Sequence, residues 1–333
     1  MCKSLQKFMI VICIGVSAYA QEVSPLQNAS LADGRLVLAS VDSVGAEQLA
    51  SWVAMARDGG VVFELYTRKN PQLFEVITPN KDPKHFNPDA PTYVVVHGWT
   101  VRDHALYRIK DNYLRTGDVN VIMVDWTRYS VDLYPKSAAS TKYVGERIGE
   151  LLLSLISRHP SMPGASLRLV GHSLGAHVSG RAGRYLKQRN HTVSRITALD
   201  PAGPLFEVPP LLPGLNPSDA SFVLAVHTDG GAFGLVRPRG HADFYVNGGG
   251  PVQPGCGGYD LIGTSCSHFR SSYYFAESIL HGGFTAVQCS SLADFLTERC
   301  RGGDRQRMGD RTSDRARGLY FLRTNMLPPY SRG

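Results

Sequence analysis

The sequence predicts an α/β protein, a mainly parallel sheet covered by helices on both faces. Three observations carry that class. Short β-rich apolar runs recur along the middle of the chain, helical apolar spacing falls between some of them, and 333 residues at 43% hydrophobic and 19% charged content suffice to bury one large core. Parallel neighbours need crossover connections, so strands alternating with helices leave both sheet faces under cover.

The strand runs are Tyr93 to Val96, Val119 to Val124, Leu167 to Val170, Val193 to Leu199 and Phe222 to Val226. From Tyr143 to His159 the residues Val144, Ile148, Leu151, Leu152, Leu155 and Ile156 recur at helical spacing and offer one face to a sheet. Leu174 to Lys187 reads as a second helix, and its Gly175, Ala176, Ser179, Gly180, Ala182 and Gly183 let the backbone approach a sheet closely. Six prolines from Pro201 to Pro217 exclude regular helix or central strand and predict a long ordered loop. There are no repeats and no linker between two comparable domains.

At the N-terminus Lys3 and Lys7 precede an apolar run from Phe8 to Val16 and the small-residue site Ala18-Tyr19-Ala20. This is the pattern of a secretory signal over residues 1–20, with one domain expected over 21–333. Nine apolar residues fall short of the ~18 that span a bilayer, and no other segment is long and apolar enough. A secreted, extracellular product is expected. Cleavage would remove Lys3 and Lys7, leaving 33 basic residues against 28 acidic ones and lowering the net charge from +7 to +5. It would also remove Cys2 and Cys13. The remaining even set in an oxidising compartment predicts two disulfides, and pairing sequence neighbours closes the smallest loops, Cys256 with Cys266 and Cys289 with Cys300. The spacings C-x9-C and C-x10-C do not match compact zinc motifs. Asn28-Ala29-Ser30 and Asn190-His191-Thr192 are glycosylation sequons. Arg301 to Gly318 holds six arginines against three aspartates and reads as a solvated loop, with a basic patch for anionic lipid as the sharper alternative. No nucleic-acid module accompanies that charge.

The chemistry concentrates at Gly171-His172-Ser173-Leu174-Gly175, which directly follows one strand run and opens the small-residue helix. A serine at so tight a turn is strained, and glycines two residues to either side remove side chains that would collide there. It also sits at a helix N-terminus, where free N–H groups favour developing negative charge. A serine hydroxyl needs a base, and the base needs an acid to fix its tautomer. Such chains run Ser, then Asp or Glu, then His, in the α/β-hydrolase fold. Asp200 ends the strand run Val193 to Leu199 and is the expected acid; Asp125 precedes the serine and reads as structural, with Asp229 and Asp243 as minor competitors. His227, His241, His268 and His281 all follow, and order alone does not choose among them. His268 stands two residues past Cys266, so a disulfide would pin the loop presenting its imidazole. The oxyanion hole calls for the N–H after the nucleophile, Leu174, and a second from Trp99 in His97-Gly98-Trp99-Thr100.

These motifs, in order, resemble the pancreatic lipase family, and especially its insect and venom phospholipase A1-like members. The similarity runs from Phe63-Glu64-Leu65-Tyr66-Thr67-Arg68 to Leu322-Arg323-Thr324-Asn325. It passes through HGWT at 97–100, GHSLG at 171–175, LDPAGP at 199–204, HTDG at 227–230, GHADFYVNGG at 240–249, QPGC at 253–256 and CSH at 266–268. The resemblance implies that Ser173, Asp200 and His268 form the triad, which singles out one of the four histidines. It also implies that the nine residues between Cys256 and Cys266, with Tyr259, Leu261 and Ile262, correspond to the family's lid. In that family a reduced lid, together with a short loop between His227 and His241, accompanies phospholipase A1 activity. The chain continues only 65 residues past His268, so the lipid-binding β-sandwich of pancreatic lipases is expected to be absent. Where some relatives bind structural calcium, this sequence has Asn216-Pro217-Ser218-Asp219, with one aspartate replaced.

The expectation is cleavage of the sn-1 acyl ester of phospholipids through an acyl-enzyme, without cofactor or metal, at a lipid–water interface with peripheral membrane contact only and no nucleic acid. The alternatives are a neutral triacylglycerol lipase or galactolipase with the same triad, and a silent lipid-binding or yolk-type protein on this fold.

Overall fold

The computed structural model describes residues 60–100, 104–160, 162, 166–207, 212–257 and 265–333. The segment 1–20, the Asn28 sequon and the lid residues Tyr259, Leu261 and Ile262 lie outside the described residues.

In chain order the elements are β1 (Val62–Tyr66), β2 (Glu75–Ile77), β3 (Thr92–Val96), α1 (His104–Thr116), β4 (Asn120–Asp125), α2 (Thr127–Ser130), α3 (Tyr134–Arg158), β5 (Leu167–His172), α4 (Leu174–Lys187), β6 (Arg195–Leu199), β7 (Phe222–His227), β8 (Ala242–Val246), α5 (Cys266–Leu280), β9 (Thr285–Gln288), α6 (Leu292–Leu296), β10 (Arg305–Arg307) and β11 (Gly318–Leu322). Among the described residues they build a single eleven-stranded sheet in the order β10-β9-β11-β8-β7-β6-β5-β3-β4-β1-β2. The middle, from β4 to β11, is parallel throughout. The flanks are antiparallel, β1 pairing with β4 and β2 on one side, β9 with β11 and β10 on the other. The α/β-hydrolase fold is thus present as one domain with a mixed, mainly parallel sheet, and among the described residues no β-sandwich follows β11.

Alternation along the parallel strands divides the core. Val94 and Val96 of β3 face a cluster that contains Val144, Ile148, Leu151, Leu152 and Leu155 of α3 and Val178, Ala182 and Leu186 of α4. Tyr93 and Val95 face the other cluster, with Leu106, Ile109 and Tyr113 of α1 and Tyr274, Phe275 and Ile279 of α5. The small residues of α4 serve close approach: a β-carbon at Gly183 would stand 2.2 Å from the carbonyl O of Asp219, and one at Gly145 of α3 2.4 Å from Cβ of Arg181.

Two sequence expectations change in detail. Helix α3 begins at Tyr134, nine residues before the apolar period, with Pro135 in its first turn and the small residues Ser137, Ala138 and Thr141 buried there. The charge-dense segment from Arg301 contains β10 and is tied down from below: the buried Arg195 of β6 donates to the carbonyls of Asp310 and Thr312 and to the carboxylate of Asp314. The proline-rich stretch has neither α-helix nor strand among its described residues, and Asn190 is exposed in the turn after α4. No helix among the described residues is long and apolar enough to cross a membrane.

Candidate active site

Strand β5 delivers Ser173 straight into α4 with φ +56° and ψ −122°, a left-handed conformation that a non-glycine residue adopts only at a cost. The turn leaves no room beside it. A β-carbon at Gly171 would stand 2.2 Å from the carbonyl O of Gly175, and one at Gly175 would stand 2.3 Å from that of Val96. Both motif glycines are therefore required by backbone against backbone. The Ser173 N–H donates to the carbonyl of Leu199, fastening the turn to β6.

Strand β6 runs into Asp200, which is fully buried and also has positive φ, +42°. Its Oδ1 accepts from the N–H groups of Thr228 and Asp229 at 2.8 and 3.0 Å. Its Oδ2 accepts from His268 Nδ1–H at 2.5 Å. Three donors fix the orientation of the carboxylate. His268 lies in the first turn of α5, just past the Cys256–Cys266 disulfide, and is 6% exposed. With Nδ1–H committed to Asp200, the neutral ring carries its proton-accepting nitrogen at Nε2. The rings of His172 and His268 stand 4.5 Å apart, so the residue preceding Ser173 and the imidazole share one pocket, which Phe233 also lines at 5.6 Å from the His268 ring.

Across the turn, β3 leads into His97-Gly98-Trp99-Thr100. A β-carbon at Gly98 would stand 2.7 Å from Cβ of Ser173 and 3.3 Å from its Oγ. The loop is fixed from several directions. His97 Nδ1–H donates to the Gly98 carbonyl, His97 Nε2 accepts from the Trp126 N–H, and Trp126 Nε1–H returns to the His97 carbonyl. Trp99 Nε1–H donates to the Asp132 carbonyl, and Thr100 N–H to that of Ser130. The amide N–H groups of Trp99 and Leu174 have no acceptor among the described residues.

Of the other candidates, Asp229 lies beside the site and the rest sit elsewhere. Asp125 accepts from the N–H and hydroxyl of Thr127 at the start of α2. His227 is fully buried, and both its nitrogens face acceptors, Asp243 Oδ1 at 2.9 Å and the Leu235 carbonyl at 3.2 Å, so the ring must carry two protons. Burial works against that charge, yet Asp243 and the more distant Asp200 hold its pKa above the ordinary value. His241 accepts from the Val223 N–H, and burial lowers its pKa. His281 caps the end of α5. The second disulfide joins Cys289 to Cys300.

The calcium question has a specific answer in the donor set. Asp219 is buried and both its oxygens accept from Arg184, Oδ1 from Nε and Oδ2 from Nη2, each at 3.0 Å. Asn216 Oδ1 accepts from Ser218 N–H. A guanidinium already neutralises the carboxylate, and these residues do not fit a metal. Asp200, Asp229 and His268 also bring ligand-type atoms within 4.8 Å of one another, but the hydrogen bond between Asp200 and His268 uses the facing pair.

Sequence reasoning missed the approach of His172 to His268, of Gly98 to Ser173 and of Gly234 to the Asp200 carboxylate, and the two amides on Asp200. Each acts on a residue distant in the chain, and motif spacing carries no trace of such a contact.

Compared with known proteins, residues 41–330 match the family model described as Lipase. The chain is 34% identical over 266 residues to the pancreatic triacylglycerol lipase of Oryctolagus cuniculus, a match covering 72% of this chain and 56% of that one. It is 33% identical over 311 residues to the inactive pancreatic lipase-related protein 1 of Canis lupus familiaris, covering 82% and 65%. It is 35% identical over 279 residues to the lipoprotein lipase of Bos taurus, covering 74% and 57%. In each case the match covers less than two thirds of the relative's own length.

Proposed function

Given that the chain belongs to the lipase family, we propose that it is a secreted serine hydrolase acting on the acyl esters of neutral glycerides at a lipid–water interface. The observation that carries the reaction is the buried His268–Asp200 hydrogen bond beside a serine held at positive φ. In this mechanism His268 Nε2 takes the proton of Ser173 Oγ as the oxygen adds to the ester carbonyl. Asp200 holds the tautomer and balances the imidazolium. The oxyanion meets the N–H groups of Leu174 and Trp99. His268 then returns the proton to the leaving alcohol, and water, activated by the same imidazole, releases the fatty acid from the acyl-serine.

The relatives' names favour a glyceride substrate over a phospholipid. Two of the three compared are lipases by name, and one of those is a triacylglycerol lipase. The phospholipase A1 reading, with its resemblance to insect and venom enzymes, is the second. It is favoured by the short segment closed by Cys256–Cys266, a sequence separation of 10, which offers little apolar surface to cover an acyl groove. Secretion rests on the expected signal over residues 1–20 and on two disulfides in the domain. The dog relative's name includes the word inactive, so activity is the first thing to measure.

A serine-directed phosphonate should label the protein and not Ser173→Ala, which should also lose at least about 10⁴-fold in kcat with its melting temperature little changed. Failure to label folded wild-type protein would leave the silent lipid-binding reading. Fatty-acid release from emulsified triacylglycerol should exceed that from phosphatidylcholine vesicles, and the reverse ranking would establish the phospholipase reading.

A further inference from the structure

We infer that His172 is a positioning residue for the proposed reaction, a neutral imidazole strut that ties the chain carrying the nucleophile to the chain carrying the base. The inference rests on the proposed roles of Ser173 and His268.

His172 ends β5 and is bonded through the backbone to Ser173, while its side chain reaches a residue 96 positions away. Its Nε2 stands 3.1 Å from the carbonyl O of His268. A carbonyl only accepts, so Nε2 bears the proton and donates. The ring is 2% exposed, stacks on Phe269 at 5.2 Å and lies 4.5 Å from the His268 ring. Its burial, with the neighbouring His268 and the more distant His97, holds its pKa well below the ordinary value, so it stays neutral beside an imidazole that must become charged during turnover.

The need for such a strut follows from how the base is mounted. The hydrogen bond to Asp200 fixes one edge of the His268 ring but not the position of its backbone. That backbone belongs to the first turn of α5, entered through Ser265 at φ +54°. Inside the helix Ser271 Oγ also donates to the His268 carbonyl, at 3.0 Å, which anchors it to α5 alone. His172 is the donor that comes from the nucleophile's side. It adds a direct tie from the nucleophile's strand to the first turn of α5, which the Cys256–Cys266 disulfide and the Gln253 N–H donating to Ser267 Oγ hold from the other side, and displacements of an ångström at a reacting pair cost about 10²-fold.

The experiment compares His172→Gln, whose amide nitrogen extends to the region of Nε2, with His172→Asn, whose shorter amide does not, and with His172→Phe, which keeps a ring without a donor. For each variant we would measure kcat and KM on a soluble short-chain ester, the rate of inactivation by a serine-directed phosphonate, and the melting temperature. The expected result is a 10- to 100-fold loss of kcat and of inactivation rate in Asn and Phe, with KM within about twofold, and recovery to within about threefold of wild type in Gln. Equal losses in Gln and Asn, or losses that follow melting temperature alone, would overturn the inference. If Phe fails to fold, the Gln and Asn pair decides alone. If wild-type protein is not labelled at Ser173, the reading of the site fails; if wild type is labelled and the Asn variant reacts as fast, only the role of His172 fails.

Discussion

Gly234 lies directly against the carboxylate of Asp200: a β-carbon there would stand 2.6 Å from Oδ2 and 2.7 Å from Oδ1. The displaced group would be the one that holds His268. Gly234→Ala is therefore expected to lower kcat by about 10²-fold or more, because the methyl moves a charge that orients the base. Circular dichroism should remain native. A variant with unchanged kcat would show that the loop from Asp229 yields without disturbing Asp200.

The disulfide between Cys256 and Cys266 closes a short loop whose second cysteine is the first residue of α5, two before His268. Opening it should remove about 3 kcal/mol at most. The larger effect should fall on turnover, since the first turn of α5 carries the imidazole. The Cys256→Ser/Cys266→Ser double variant should lose activity at temperatures well below its own melting point, whereas Cys289→Ser/Cys300→Ser should change stability and kcat only in parallel.

Arg184 and Asp219 form a paired cation and anion with the carboxylate buried and the guanidinium partly exposed. Removing the cation alone strands the anion, so Arg184→Ala should cost roughly 3–5 kcal/mol in urea unfolding. Chelators should leave the melting temperature unchanged. A chelator-dependent drop restored by calcium would contradict the fit of this site to a guanidinium.

Two buried histidines set opposite pH limits on stability. His177 stacks on Phe206, donates Nε2–H to the Ala202 carbonyl and accepts from the Leu215 N–H, and burial pushes its pKa down to about 4. Its folded pKa lies below the unfolded one, so its contribution is complete above about pH 6.5 and is lost as pH falls towards 4, about 3 kcal/mol in all. His227 is raised instead, so its contribution is complete below about pH 6.5 and is lost as pH rises through the folded value. His177→Gln should flatten the acid side of the stability profile measured by urea titration, and His227→Gln the alkaline side. The reverse assignment would refute a neutral His177 and a doubly protonated His227.

The parallel strands from β4 to β7 were legible because β3, β4, β5, β6 and β7 are buried on both faces and read as nearly unbroken apolar runs. The strands on either side of these were not. Strand β1 carries the buried Glu64, and β8 carries the buried Asp243, whose charge is answered by His227 from the neighbouring strand. A charge inside an apolar run hides a strand until its partner is known. The first third of α3 was hidden for another reason, since small residues rather than large apolar ones fill its buried face. At the site, the turn around Ser173 was legible because its glycines are adjacent in sequence. The environment of Asp200 was not, because Thr228, Asp229 and Gly234 reach it from a different strand-end loop.

Among the described residues both margins of the sheet end on strands of only three residues, Glu75–Ile77 and Arg305–Arg307, and each strand contains charged residues. Sheets grow between molecules by recruiting a new strand along a long, uncharged border with unpaired amides. Neither border here offers that template. These two borders should therefore not seed edge-to-edge pairing, and fibrous association should start from unfolded chains.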